Sequence, residues 1–133
     1  MESINKIKFP LFLIDQEPCD EFVFPNLFFY DRRFFDRKDL REYGRFYHNR
    51  KYVDINGNIY VSSGAEDKSN WIRKALGLYR KYYLIFEPLD VPLLNFEEVK
   101  SIYLSYLEGF KSNEAKIKHT DFANNCKTIK ELL

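Results

Sequence analysis

The sequence predicts an α+β fold over residues 1–133: a single compact domain, with an antiparallel sheet around a central hairpin at 51–63 packed by two to four helices. Three observations lead there. Apolar residues make up 45% of the 133 and aromatics 18%, with 13 Phe and 10 Tyr, enough to build one ring-rich core. Residues 51–63 alternate polar and apolar around Asn56-Gly57, a turn dipeptide between strand-like runs. Asn95 is followed three positions later by Glu98 at the head of an apolar run, the mark of a capped helix. Strand and helix patterns interleave without repeat or linker, which suits one α+β unit.

Taken in order, Ile7–Ile14 is apolar enough for a buried strand. Glu21–Phe24 and Leu27–Tyr30 offer one or two more, and Pro25 argues against a continuous one. From Asp36, an N-cap candidate, Leu40, Tyr43 and Phe46 or Tyr47 recur at helical spacing, weakened by Gly44. In the hairpin, a two-residue Asn-Gly loop would mix polar and apolar side chains on each face. An odd-length loop instead gathers Val53, Ile55, Ile59 and Val61 on one face and Tyr52, Asp54, Tyr60 and Ser62 on the other. A one-residue slip exchanges the faces, so the apolar set is expected in the core, and the polar set is left to face water, another layer or a partner. Beyond Gly64, residues 66–76 read as a helix capped by Asp67 or Ser69, with Trp71, Ile72, Ala75 and Leu76 as its apolar face and Gly77 at its end. Tyr82–Phe86 reads as a strand beside the hairpin, bounded by Glu87 and Pro88. The Asn95-capped helix buries Phe96, Val99, Tyr103, Tyr106 or Leu107, and Phe110. Residues 112–133 read as a polar, loosely docked tail, in which Thr128 and Glu131 frame a last helical turn.

Twenty-one basic and 20 acidic residues leave a net charge of +1, too little to concentrate the whole protein on nucleic acid or an anionic membrane. No run approaches the roughly 20 apolar residues of a spanning helix, and the first residues carry no secretory pattern. A cytoplasmic location and no membrane partner are expected. Cys19 and Cys126 are then expected as two free, buried thiols rather than a disulfide.

Reactive chemistry finds little support. His48 and His119 could form an acid–base pair, with Lys51 or Lys118 steadying a phosphorane, as in a small metal-independent nuclease. Both lie in polar stretches that read more simply as solvated imidazoles. Asp54, Asn56 and Asn58 alternate like calcium ligands, but the sixth and twelfth positions of such a loop would be Ile59 and Ala65, where Gly and Glu belong. A tight turn accounts for all three. Zinc spacing, nucleotide-binding glycines and a nucleophile elbow do not occur, so no cofactor, no metal and no catalytic residue is expected.

The biased segment is 28–52, where eight basic residues stand against four acidic ones, interleaved with Phe and Tyr. Arginine with aromatics serves nucleic-acid sites and protein interfaces alike; acids paired with the arginines along a solvated helix are the plain alternative. Residues 86–99 carry Glu87, Asp90, Glu97 and Glu98 and no base, and a surface of both signs suits a protein partner better than a phosphate backbone. The partner-binding candidates are therefore Arg32, Arg33, Arg37, Arg41, Tyr43, Arg45, Tyr47 and His48, followed by Asp54 and Tyr60 on the polar hairpin face.

The run Tyr52-Val-Asp-Ile-Asn-Gly-Asn-Ile-Tyr-Val, then Trp71, Tyr83-Leu-Ile-Phe-Glu-Pro and Asn95-Phe-Glu-Glu-Val-Lys-Ser-Ile-Tyr-Leu, resembles small immunity proteins of bacterial polymorphic-toxin and contact-dependent growth inhibition systems. The resemblance lies in layout over residues 52–110, without a diagnostic motif. It implies a non-catalytic cytoplasmic protein that binds and neutralises a cognate toxin domain. The other readings are a nucleic-acid-binding module using 28–52 and the small nuclease.

Overall fold

A computed structural model describes residues 7–30, 49–67, 72, 75–76 and 82–133. It contains a five-stranded antiparallel sheet: β1 (Leu11–Leu13), β2 (Phe28–Phe29), β3 (Lys51–Val53), β4 (Ile59–Asp67) and β5 (Tyr82–Pro88). Their spatial order is β2-β1-β3-β4-β5. Three helices follow, α1 (Phe96–Tyr106), α2 (Asn113–Asn125) and α3 (Ile129–Leu132), with α1 packed against both of the others. The α+β expectation holds.

β1 is shorter than the predicted strand and begins after Pro10, which has no N–H to give a ladder. Of the second predicted region only Phe28–Phe29 pairs; Phe24–Leu27 forms a 3-10 turn with Pro25 in its first positions, where the missing N–H is harmless. The helix expected from Asp36 lies outside the described residues.

The hairpin has the predicted odd-length register. Lys51 pairs with Val61, Tyr52 with Tyr60 and Val53 with Ile59, leaving Asp54–Asn58 as the turn. The assignment of faces is corrected. Ile55, Ile59 and Val61, expected in the core, are only half-buried, whereas Tyr52, Asp54, Tyr60 and Ser62 are all buried. The reason is that the sheet is buried on both sides near its centre. On one side Phe12 stacks on Phe28 at 4.8 Å and meets Tyr106 of α1 at 5.5 Å. On the other, Tyr52 meets Phe29 at 5.4 Å and Phe86 at 5.1 Å, both edge to face. In a strand covered on both sides, polar–apolar alternation no longer tells inside from outside.

Glu66 and Asp67 belong to β4 rather than to a helix, because β4 runs on beside β5 after a slip in pairing between Ser62 and Gly64. Ile72 and Ala75 are helical, and the Leu76 amide donates to the Ile72 carbonyl at 3.0 Å; Ile72, Ala75 and Leu76 are exposed, and Ser69, Trp71 and Gly77 lie outside the described residues. β5 pairs with β4 as expected.

α1 has the predicted capping box. Asn95 Oδ1 accepts from the Glu98 amide at 2.9 Å and Glu98 Oε1 from the Asn95 amide at 3.2 Å. Its buried stripe is Val99, Tyr103 and Tyr106, continued by Leu107 and Phe110 through a 3-10 turn. Phe96 is only partly buried. The Tyr106 hydroxyl donates to the Leu13 carbonyl at 2.7 Å, fastening helix to sheet.

The segment from Ser112 is a packed part of the fold. Ser112 caps α2, with its hydroxyl accepting from the Ala115 amide at 3.2 Å. Thr128 caps α3 as expected, accepting from the Glu131 amide, and Ala123, Cys126, Ile129 and Leu132 are buried. Among the described residues no helix is long and apolar enough to cross a membrane.

Candidate functional site

The hairpin turn is organised by one carboxylate. Asp54 has 0% of its surface exposed. Its Oδ1 accepts from the amides of Asn56 and Asn58, each at 2.9 Å, and its Oδ2 accepts from Asn58 Nδ2 at 3.2 Å and the Tyr60 hydroxyl at 3.3 Å. A buried carboxylate is tolerable when such donors replace its water. The backbone closes the same turn through Asp54 N–H to Asn58 O at 3.0 Å and Gly57 N–H to Asp54 O at 3.2 Å. Asp54 and Tyr60 therefore work inside the hairpin as buried groups, and both also border the cleft described below. The alternating Asp54, Asn56 and Asn58 serve the turn, as the spacing argument anticipated.

Gly57 adopts φ +88°, a conformation that favours glycine, and a Cβ there would overlap the Leu94 carbonyl. That close approach lets the Leu94 amide donate to the Gly57 carbonyl at 2.9 Å, while the Leu89 amide donates to the Ile59 carbonyl at 2.9 Å. Both ends of the 89–94 segment are thus tied to the hairpin. Between the ties, Val91 is 46% and Leu93 61% exposed, with Pro92 also exposed. Beside them lies an open cleft of ≈ 550 Å³ whose walls include Lys8, Asn56, Asn58, Tyr60 and Asp90. Glu87, Asp90, Glu97 and Glu98, on either side of this ridge in sequence, are all exposed. Lys100, the first base after them in sequence, has its ammonium 5.9 Å from the centre of the Phe96 ring.

The sequence reading missed Val91 and Leu93. Their signal was present: two large aliphatic residues on either side of Pro92, in a segment without regular structure, where neither helical nor strand periodicity directs a side chain inward. Arg32, Arg33, Arg37, Arg41, Tyr43, Arg45, Tyr47 and His48 lie outside the described residues. Phe22, Tyr30, Ile117 and Phe122 are further exposed large apolar side chains.

His119 is not the solvated imidazole that its polar neighbours suggested. Its ring meets Phe24 at 5.2 Å and Phe110 at 5.4 Å, and Nδ1 lies 3.2 Å from the Tyr103 hydroxyl. Partial burial among these rings, and then the charge of Lys118, lowers its pKa below the ordinary histidine value. Burial raises that of Tyr103, so the phenol keeps its proton at neutral pH. The folded state therefore binds fewer protons at His119 than the unfolded chain, whose histidine titrates near 6.5. Its contribution to stability is complete above about pH 6.5 and is lost as pH falls through that value towards the lower folded pKa. Urea melts from pH 7.5 to pH 5 should show stability falling on acidification, and His119→Gln should remove part of that slope. An unchanged slope in the variant would exclude His119 as a source.

Cys19 and Cys126 are both free and buried, as expected. Burial, followed by the Asp20 charge, pushes the Cys19 thiol up to about 11. Burial also raises Cys126, whose Sγ donates to the Phe122 carbonyl at 3.2 Å. Neither is poised as a thiolate nucleophile. Among the described residues no group of three or more His, Cys, Asp or Glu could hold a metal ion.

Compared with protein-family models, curated proteins and solved structures, the chain matches none of them.

Proposed function

We propose that this chain is a non-catalytic protein-binding inhibitor, an immunity-type protein that neutralises a cognate bacterial toxin domain in the cytoplasm by direct contact. The observation that carries the reading is the Val91–Leu93 ridge. Two hydrogen bonds to the hairpin hold its ends, and its aliphatic side chains stand in water beside a cleft. An exposed apolar group on a fixed backbone loses little conformational entropy when a partner covers it, so more of the buried area appears as affinity. The layout resemblance over residues 52–110 supplies the biological setting.

The test is co-expression with the product of the adjacent open reading frame. Cells should be protected from that product, and the two proteins should co-purify as a stable complex. Toxicity unrelieved by co-expression, together with separate elution of the two proteins, would overturn the reading.

A further inference from the structure

We propose that the Val91–Leu93 ridge docks a protein face in which lysine or arginine side chains surround an apolar recess. The inference rests on the protein-binding reading above and adds the chemistry of the partner and the place where it binds. Two features of the ridge select that chemistry.

The first is shape. Val91 and Leu93 are held at the crest of a segment whose two ends are hydrogen-bonded to the hairpin. A crest of two aliphatic side chains is complemented by an apolar recess, and burying a leucine or valine that begins exposed contributes roughly 1.5–3 kcal/mol. The cleft beside the crest has room for a long side chain reaching in from the partner. Its polar lining offers such a visitor Asn56, Asn58 and the Asp90 carboxylate. Asp54, by contrast, is already committed to four donors within the hairpin. Lys8 also lines the cleft, so a cationic visitor is best accommodated towards Asp90.

The second is charge. Glu87, Asp90, Glu97 and Glu98 flank the crest in sequence, all exposed, with Asp90 on the wall of the cleft, and no Lys, Arg or His occurs between Phe86 and Val99. Carboxylates around an apolar centre set the sign of the partner's rim: cations there accelerate encounter and fix orientation, while the apolar centre supplies most of the affinity. The same four carboxylates repel a phosphate backbone, which removes nucleic acid as the occupant of this face. They also oppose a symmetric dimer through it, because a two-fold axis would set like charges against each other.

The test uses the full chain, the product of the adjacent open reading frame as probe, and two variants. Leu93→Asp should weaken the complex by about 10-fold or more, mainly through faster dissociation. The triple reversal Glu87→Lys, Asp90→Lys, Glu97→Lys should slow association and flatten its salt dependence. All three positions are exposed, so circular dichroism and melting should match the unmodified chain; a variant that fails this check is replaced by Leu93→Ser or Asp90→Asn. If the unmodified chain binds the probe and both variants bind it equally well, the docking surface is wrong while the inhibitor reading stands. If the unmodified chain does not bind the probe, both fall together. Salt-sensitive RNA binding abolished by the triple reversal, or self-association abolished by Leu93→Asp, would equally overturn the assignment of a basic protein partner to this face.

Discussion

Asp54→Ala should destabilise the protein by about 3–4 kcal/mol, a drop in melting temperature of about 10–15 °C for a chain of this size. The magnitude follows from what the carboxylate serves. Truncation leaves the Asn56 and Asn58 amides without the oxygen they share and removes the oxygen that accepts from Asn58 Nδ2 and the Tyr60 hydroxyl. Asp54 is fully buried but borders the open cleft, so water replaces the lost acceptor only in part. Each stranded donor costs about 1–3 kcal/mol, reduced where the turn relaxes towards solvent. Asp54→Asn should cost less, since one oxygen still accepts from the two backbone amides, while the new NH₂ meets the donors on the other side. Thermal and urea melts of the two variants check the order. A loss below about 1 kcal/mol for Asp54→Ala would mean that the turn is held by its backbone bonds alone.

Gly57→Ala should cost about 2–4 kcal/mol, from a positive φ that alanine adopts poorly and from collision with the Leu94 carbonyl. The effect should extend beyond the turn. Relieving the collision pushes Leu94 away and breaks its 2.9 Å hydrogen bond to Gly57, one of the two ties that hold the ridge. The Leu94 amide should then exchange with solvent faster than in the unmodified chain, and partner binding should weaken even though residue 57 need not touch the partner. A variant with unchanged melting and unchanged Leu94 exchange would contradict the close approach.

The hairpin shows how far the residues speak for the fold. Its register was legible, because only an odd-length loop keeps Val53 with Ile59 on one face. Which face is buried was not legible. Tyr52 and Tyr60 carry polar hydroxyls on large apolar rings, and a sheet buried on both sides accepts such residues when their polar atoms find partners. The capping box of α1 was legible because both partners lie within four consecutive residues. α2 was not, since Ala123 is the only member of this helix that becomes fully buried and most of the rest carries polar or charged groups. The extension of β4 through Glu66 and Asp67 was also hidden. Those residues are poor strand formers, and their partners Tyr82 and Tyr83 supply the β preference from a distant part of the chain.

The candidate site was legible only in outline. The acidic bias of residues 86–99 was visible in the sequence, and it pointed to a protein partner by charge alone. The crest was not, because the exposure of Val91 and Leu93 depends on the ties from Leu89 to Ile59 and from Leu94 to Gly57, which join positions more than 29 residues apart. Contacts at that separation leave no local pattern to read.

The most direct measurement is amide hydrogen exchange of the free chain and of its complex with the product of the adjacent open reading frame. Protection should rise on binding at Val91 and Leu93 and in the first turn of α1, with little change at Ile117 and Phe122 of α2. Protection that rises on α2 instead, with residues 89–98 unaltered, would contradict the ridge as the docking surface.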